Sequence, residues 1–115
     1  AITILVMSND RNRERKIIDI GSHPLKVEFV VDNEIYFTGK ISDISSMGLG
    51  VIVASNDRIE VESGQKGVLH IWKVTNKFVD IPVTCKWMNK NYGVKFYGFE
   101  TEVNLYDTEL RQYLE

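Results

Sequence analysis

The sequence predicts an all-β domain, an antiparallel barrel or sandwich of about six strands followed by one C-terminal helix. Three observations carry this. Short runs rich in β-branched and aromatic residues recur between Lys26 and Tyr97. The links between them are short and polar, which suits hairpins and leaves no room for βαβ crossovers. Only beyond Asn104 does the hydrophobic period lengthen from two residues toward that of a helix.

The elements follow in order. Lys26 to Val31 reads as a strand, Asp32-Asn33-Glu34 as a turn, and Ile35 to Ile41 as the returning strand of a hairpin. Gly48 to Ala54 is a third strand. A polar loop from Ser55 to Gln65 follows, marked by Asn56-Asp57 and Ser63-Gly64, and Gly67 to Val74 is a fourth strand. Thr75-Asn76-Lys77 turns the chain into Phe78 to Met88, where Pro82 calls for a sheet edge or a bulge. Asn89-Lys90-Asn91 leads into a sixth strand, Tyr92 to Tyr97. Tyr106, Leu110, Tyr113 and Leu114 then fall at i, i+4, i+7 and i+8, one face of a helix that Asn104 can cap and that would lie against the barrel.

At 115 residues, 43% hydrophobic and 26% charged, the chain is long enough to bury a core without disulfides. Ala1 to Met7 is apolar but far too short to cross a bilayer, and it lacks the basic start of a secretory signal, so a cytoplasmic location is expected. Residues 1–10 read as an arm or linker and residues 11–115 as the domain. The single cysteine, Cys85, has no partner for an internal disulfide and reads as a small core residue. A net charge of −2 argues against a general nucleic-acid binder, which needs a broad basic face. The one dense basic cluster is Arg11 to Lys16, four basic side chains against Glu14.

Two short motifs concentrate the chemistry. Arg11-Asn12-Arg13-Glu14-Arg15 is an R-x-x-x-R, and Asp43-Ile44-Ser45-Ser46-Met47-Gly48 is a D-x-S-x-x-G. Guanidinium forks suit phosphate oxygens and the N7/O6 edge of guanine, while a carboxylate accepts from guanine N1–H and its exocyclic amine. Read singly, the first is a solvated basic arm, and the second a β-turn whose Asp and Ser satisfy nearby backbone groups. Read together they form a nucleotide clamp. His23 and His70 lack companions at metal-ligand spacing, and Ser45 has no identifiable base. Asp80, Glu100 and Glu102 read as solvated charges, and Trp87 as a core or rim aromatic.

With Lys86-Trp87 near the end of one strand, Gly93-Val94-Lys95-Phe96 resembling a G-V-x-F, and a terminal helix, these motifs resemble the PilZ domain, a bacterial receptor module for cyclic di-GMP. The resemblance spans Arg11 to the C-terminus. It implies a six-stranded antiparallel β-barrel with a C-terminal α-helix, and an arginine arm that clasps the ligand and so relays its presence to a protein partner or adjoining domain. It further implies that Arg11 and Arg15 grip phosphates and guanine Hoogsteen edges, that Asp43 and Ser45 hold a guanine, and that Gly48 supplies a turn and close backbone approach. No catalysis, metal, other cofactor, nucleic-acid partner or membrane insertion is expected. Two departures stand out. Asp10 precedes the first arginine where binders of an intercalated ligand pair often carry a basic residue, which favours a single bound molecule. The link from Lys16 to Pro24 is longer than usual. The alternative reading is a protein-interaction domain that keeps the fold without binding nucleotide; a small barrel for single-stranded nucleic acid fits the acidic balance poorly.

Overall fold

The computed structural model describes residues 16–17, 25–54 and 60–115. Among these residues there are seven strands: β1 (Lys16–Ile17), β2 (Leu25–Val31), β3 (Glu34–Ser45), β4 (Gly48–Ala54), β5 (Lys66–Lys73), β6 (Asn76–Asn91) and β7 (Val94–Thr101). All pairings are antiparallel, in the order β1-β3-β2-β5-β6-β7-β4, and a further β3–β4 pairing closes the run from β3 to β4. β2 to β7 therefore close into a six-stranded barrel, which leaves no long unpaired edge. β1 takes over the edge of β3 that β2 leaves, with Lys16 opposite Ile44 and Ile17 opposite Asp43.

Alternation places the side chains. In β2, Leu25, Val27, Phe29 and Val31 are buried while Lys26, Glu28 and Val30 alternate on the outer face. The barrel centre is an aromatic cluster: Phe37 and Tyr97 stack at 4.7 Å, and Phe29 lies 5.4 Å from Phe37 and 5.0 Å from Phe99. The Tyr97 hydroxyl accepts from the Val61 amide at 3.2 Å, tying the segment before β5 to the barrel wall.

Four extra residues, Tyr36, Ser42, Phe78 and Lys86, interrupt the ladders at the register shifts. Such bulges bend strands and raise their twist, which helps a short barrel to close. Pro82 pairs with Val68 of β5 but lies one residue beyond the last β6–β7 pair, so on the β7 side it stands at the end of the ladder. Its carbonyl accepts from Glu102 N at 3.0 Å, just past Val83 and Thr101, where the β6–β7 pairing ends. Its nitrogen faces the same side, at the very end of the β6–β7 ladder, so the donor that proline lacks removes only one terminal bond and the proline is tolerated.

The C-terminal segment corrects the expected α-helix. It forms two 3-10 turns, Leu105–Asp107 and Glu109–Tyr113. Thr108 is the reason. Its hydroxyl donates to Leu105 O at 2.8 Å and accepts from Leu110 N at 3.1 Å, so it ends one turn and caps the next with extended backbone. Asn104 does cap the first turn, accepting from Tyr106 N at 2.9 Å. The buried positions are Leu105, Leu110 and Leu114, while Tyr106 is exposed and Tyr113 only partly buried.

The two-residue turns Asp32-Asn33, Val74-Thr75 and Tyr92-Gly93 all use positive φ, as tight hairpins require. Val74 suits this badly: it is β-branched, has φ 59° and is 77% exposed. Val74→Gly is expected to stabilise the domain by about 1 kcal/mol, because positive φ at the first but not the second residue of a two-residue hairpin turn is a position that glycine fills without steric cost. A higher urea midpoint at unchanged slope is the result to look for; an unchanged midpoint would show that the turn relaxes in solution.

Candidate functional site

The second motif lies on the barrel wall. Asp43 and Ser45 belong to β3, Ser46 and Met47 form the turn, and Gly48 opens β4. The motif is thus mostly strand and not a loop. Its turn is pinned from the C-terminal side, since Thr101 N donates to Met47 O at 2.9 Å and Leu105 N to Ser46 O at 2.7 Å. Gly48 does not adopt positive φ, as a turn glycine would; among described glycines only Gly64 and Gly93 do. It pairs with Ser45 on one side and Glu100 on the other. Ser45 is 4% exposed, and its hydroxyl makes a long 3.5 Å contact with Gly48 O.

One cross-strand row organises this face. Asp43 of β3 pairs with Gly50 of β4, Gly50 with Gly98 of β7, and Gly98 with Trp87 of β6. The two glycines are the floor. A Cβ on Gly50 would lie 2.6 Å from Asp43 Oδ2, so the carboxylate reaches over that residue. A Cβ on Gly98 would fall inside the space of the Trp87 indole, which lies across the strand there. Absent side chains thus let a carboxylate and a 45% exposed indole approach each other over adjacent strands.

Both flanking side chains owe their direction to a bulge. Ser42 is the extra residue before Asp43, and its hydroxyl lies 3.4 Å from Asp43 Oδ2. Lys86 is the extra residue before Trp87. With Val83 and Cys85 pointing into the core, strict alternation would bury Trp87 too; the inserted Lys86 turns both Lys86 and Trp87 outward. The bulge is held in place by Ser63, whose hydroxyl donates to Lys86 O at 2.8 Å, and by Gly64 N, which donates to Cys85 O at 2.7 Å. Gly64 has φ +94°, a conformation that only glycine adopts freely.

Beside this row a pocket of about 270 Å³ opens among Ser45, Met47, Gly48, Lys86, Trp87, Gly98, Phe99 and Glu100. It offers a hydroxyl, a backbone approach over glycine, an aromatic face and one cation. That combination suits a planar polar base attached to an anionic group. Of the residues singled out from sequence, Ser45 and Gly48 line this pocket and Asp43 stands in the row beside it, whereas Arg11 and Arg15 lie outside the described residues, as does His23. Lys16, the residue after Arg15, sits opposite Ile44 within the motif. Gly50, Gly98, Lys86 and Glu100 were not apparent as site residues. The only local trace of the floor is the Gly48-Leu49-Gly50 repeat, whose two-residue spacing puts both glycines on one face.

The other candidate groups are structural. Cys85 is fully buried; burial pushes its thiol up from the usual range, and Sγ lies 3.8 Å from Trp87 O, so it remains a protonated core residue. His70 stands beside Asp80 on β6, with Nε2 3.9 Å from Oδ1. Among the described residues no group of three or more His, Cys, Asp or Glu is placed to hold a metal. No helix there is long and apolar enough to cross a membrane.

Comparison with known proteins agrees with this architecture. The family model for the PilZ domain matches residues 3–115. A solved structure, the PilZ domain with c-di-GMP of YcgR from Escherichia coli, is similar with a TM-score of 0.65 at 13% sequence identity, covering 88% of this chain and 83% of that one. A search of the curated proteins finds no match.

Proposed function

Since the chain belongs to the PilZ domain family, a family of receptor domains, we propose that it is a non-enzymatic receptor for cyclic di-GMP. Arg11 and Arg15 clamp the phosphates and guanine Hoogsteen edges, Asp43 and Ser45 receive one guanine, Gly48 permits close approach, and the Trp87 face supports a base. The observation that carries this reading is the glycine-floored face, where Asp43 and Trp87 flank Gly50 and Gly98 next to the Ser45 and Gly48 pocket. Its chemistry matches a ligand with two guanines and two phosphates. The structural relative with c-di-GMP supports the same assignment.

Closing the arginine arm on the ligand changes the surface offered to a protein partner or an adjoining domain, which is the relay. Calorimetric titration with cyclic di-GMP, with GTP as control and at stated salt, tests the reading. Saturable binding selective for cyclic di-GMP is expected, with one molecule per chain. No heat and no thermal stabilisation would instead favour a PilZ-fold interaction domain that binds no nucleotide.

A further inference from the structure

Lys86 and Glu100 face each other across the pocket that Ser45 and Gly48 line, with Lys86 Nζ 4.0 Å from Glu100 Oε1. Their placement is not incidental to the fold. Lys86 is aimed outward because it is the inserted residue of the β6 bulge, and Glu100 stands directly opposite Gly48 in the ladder. Both side chains are more than half exposed, so their attraction is weak and easily exchanged. Among the described residues, Lys86 is the only cation lining the pocket and Glu100 the only carboxylate.

A carboxylate beside Gly48 opposes any anion brought against that backbone, unless its partner is turned toward the anion instead. We infer that Lys86 and Glu100 form a phosphodiester subsite, in which Glu100 holds the Lys86 ammonium until a phosphate oxygen of the ligand takes its place. The subsite supplies a third cation beyond the arginine arm and a built-in competitor for it. This rests on the cyclic di-GMP reading and adds to it a pair of residues that set affinity in opposite directions.

The test is calorimetric titration of the parent, K86Q, K86R and E100Q with cyclic di-GMP at about 0.1 M and about 1 M salt. K86Q is expected to weaken binding about tenfold, as loss of a charge-assisted hydrogen bond does, and K86R to restore most of it. E100Q is expected to tighten binding about twofold to fivefold, and both effects should shrink at the higher salt. Since the pair is solvent-exposed, melting temperatures should barely move, so weaker binding cannot be blamed on unfolding. A parent that binds while K86Q matches it, or E100Q that binds more weakly, overturns the subsite and leaves the receptor reading standing. A parent that does not bind overturns both.

Discussion

Alanine at both Arg11 and Arg15 is expected to abolish saturable binding of cyclic di-GMP at concentrations that saturate the parent. Each arginine contributes charge-assisted hydrogen bonds to phosphate or guanine, of about 1.5–3 kcal/mol apiece, so losing both should weaken binding by about 10²- to 10⁴-fold. β1 starts at Lys16 and sits beside Asp43 and Ile44, and five residues of chain extend at most about 18 Å, so Arg11 and Arg15 are tethered within reach of the pocket. Stability should be unaffected, because the described barrel core is built entirely from Leu25 onward. Lysine at both positions should give an intermediate result, keeping the charge but losing the planar fork. The check is calorimetry paired with thermal melting. Affinity within about threefold of the parent in the double alanine variant would refute the clamp and reduce the arm to a solvated basic segment.

What sequence reading captured and missed follows from how far apart the interacting residues lie. The strand cores were legible because Leu25 to Val31 and Gly48 to Ala54 carry their own hydrophobic pattern. Asp43 and Ser45 are residue types that favour turns locally, yet pairing of β3 with β1 and β4 keeps them extended. The terminal helix failed at Thr108, whose hydroxyl competes for backbone groups that a helix period alone does not register. The floor of the site had no comparable local signal. Gly50 and Gly98 are neighbours only because β4 pairs with β7, and Trp87 faces outward only because Lys86 is inserted ahead of it. Both facts are properties of register, which is set by the closed barrel and not by any one segment.

That dependence on register makes Gly98 the most revealing position for substitution. Its missing side chain leaves the space that the Trp87 indole occupies, so Gly98→Ala should force the indole off the strand at a cost of about 1–3 kcal/mol, the usual range for overpacking. In a Trp87→Ala background the same change should cost well under about 1 kcal/mol, since the methyl then enters vacant space. The difference between the two costs is a coupling energy expected to exceed about 1 kcal/mol, measurable by urea denaturation of the four proteins in the cycle. Trp87→Ala alone should destabilise little, because the indole is 45% exposed, yet should weaken cyclic di-GMP binding by the value of a base–aromatic stack, about 1–3 kcal/mol. Gly98→Ala should reproduce much of that binding loss with the tryptophan still present, because a displaced indole no longer lies level with Asp43. Equal costs for Gly98→Ala in both backgrounds would mean that the glycine serves the backbone alone, and the paired-glycine floor would then have no part in seating the platform.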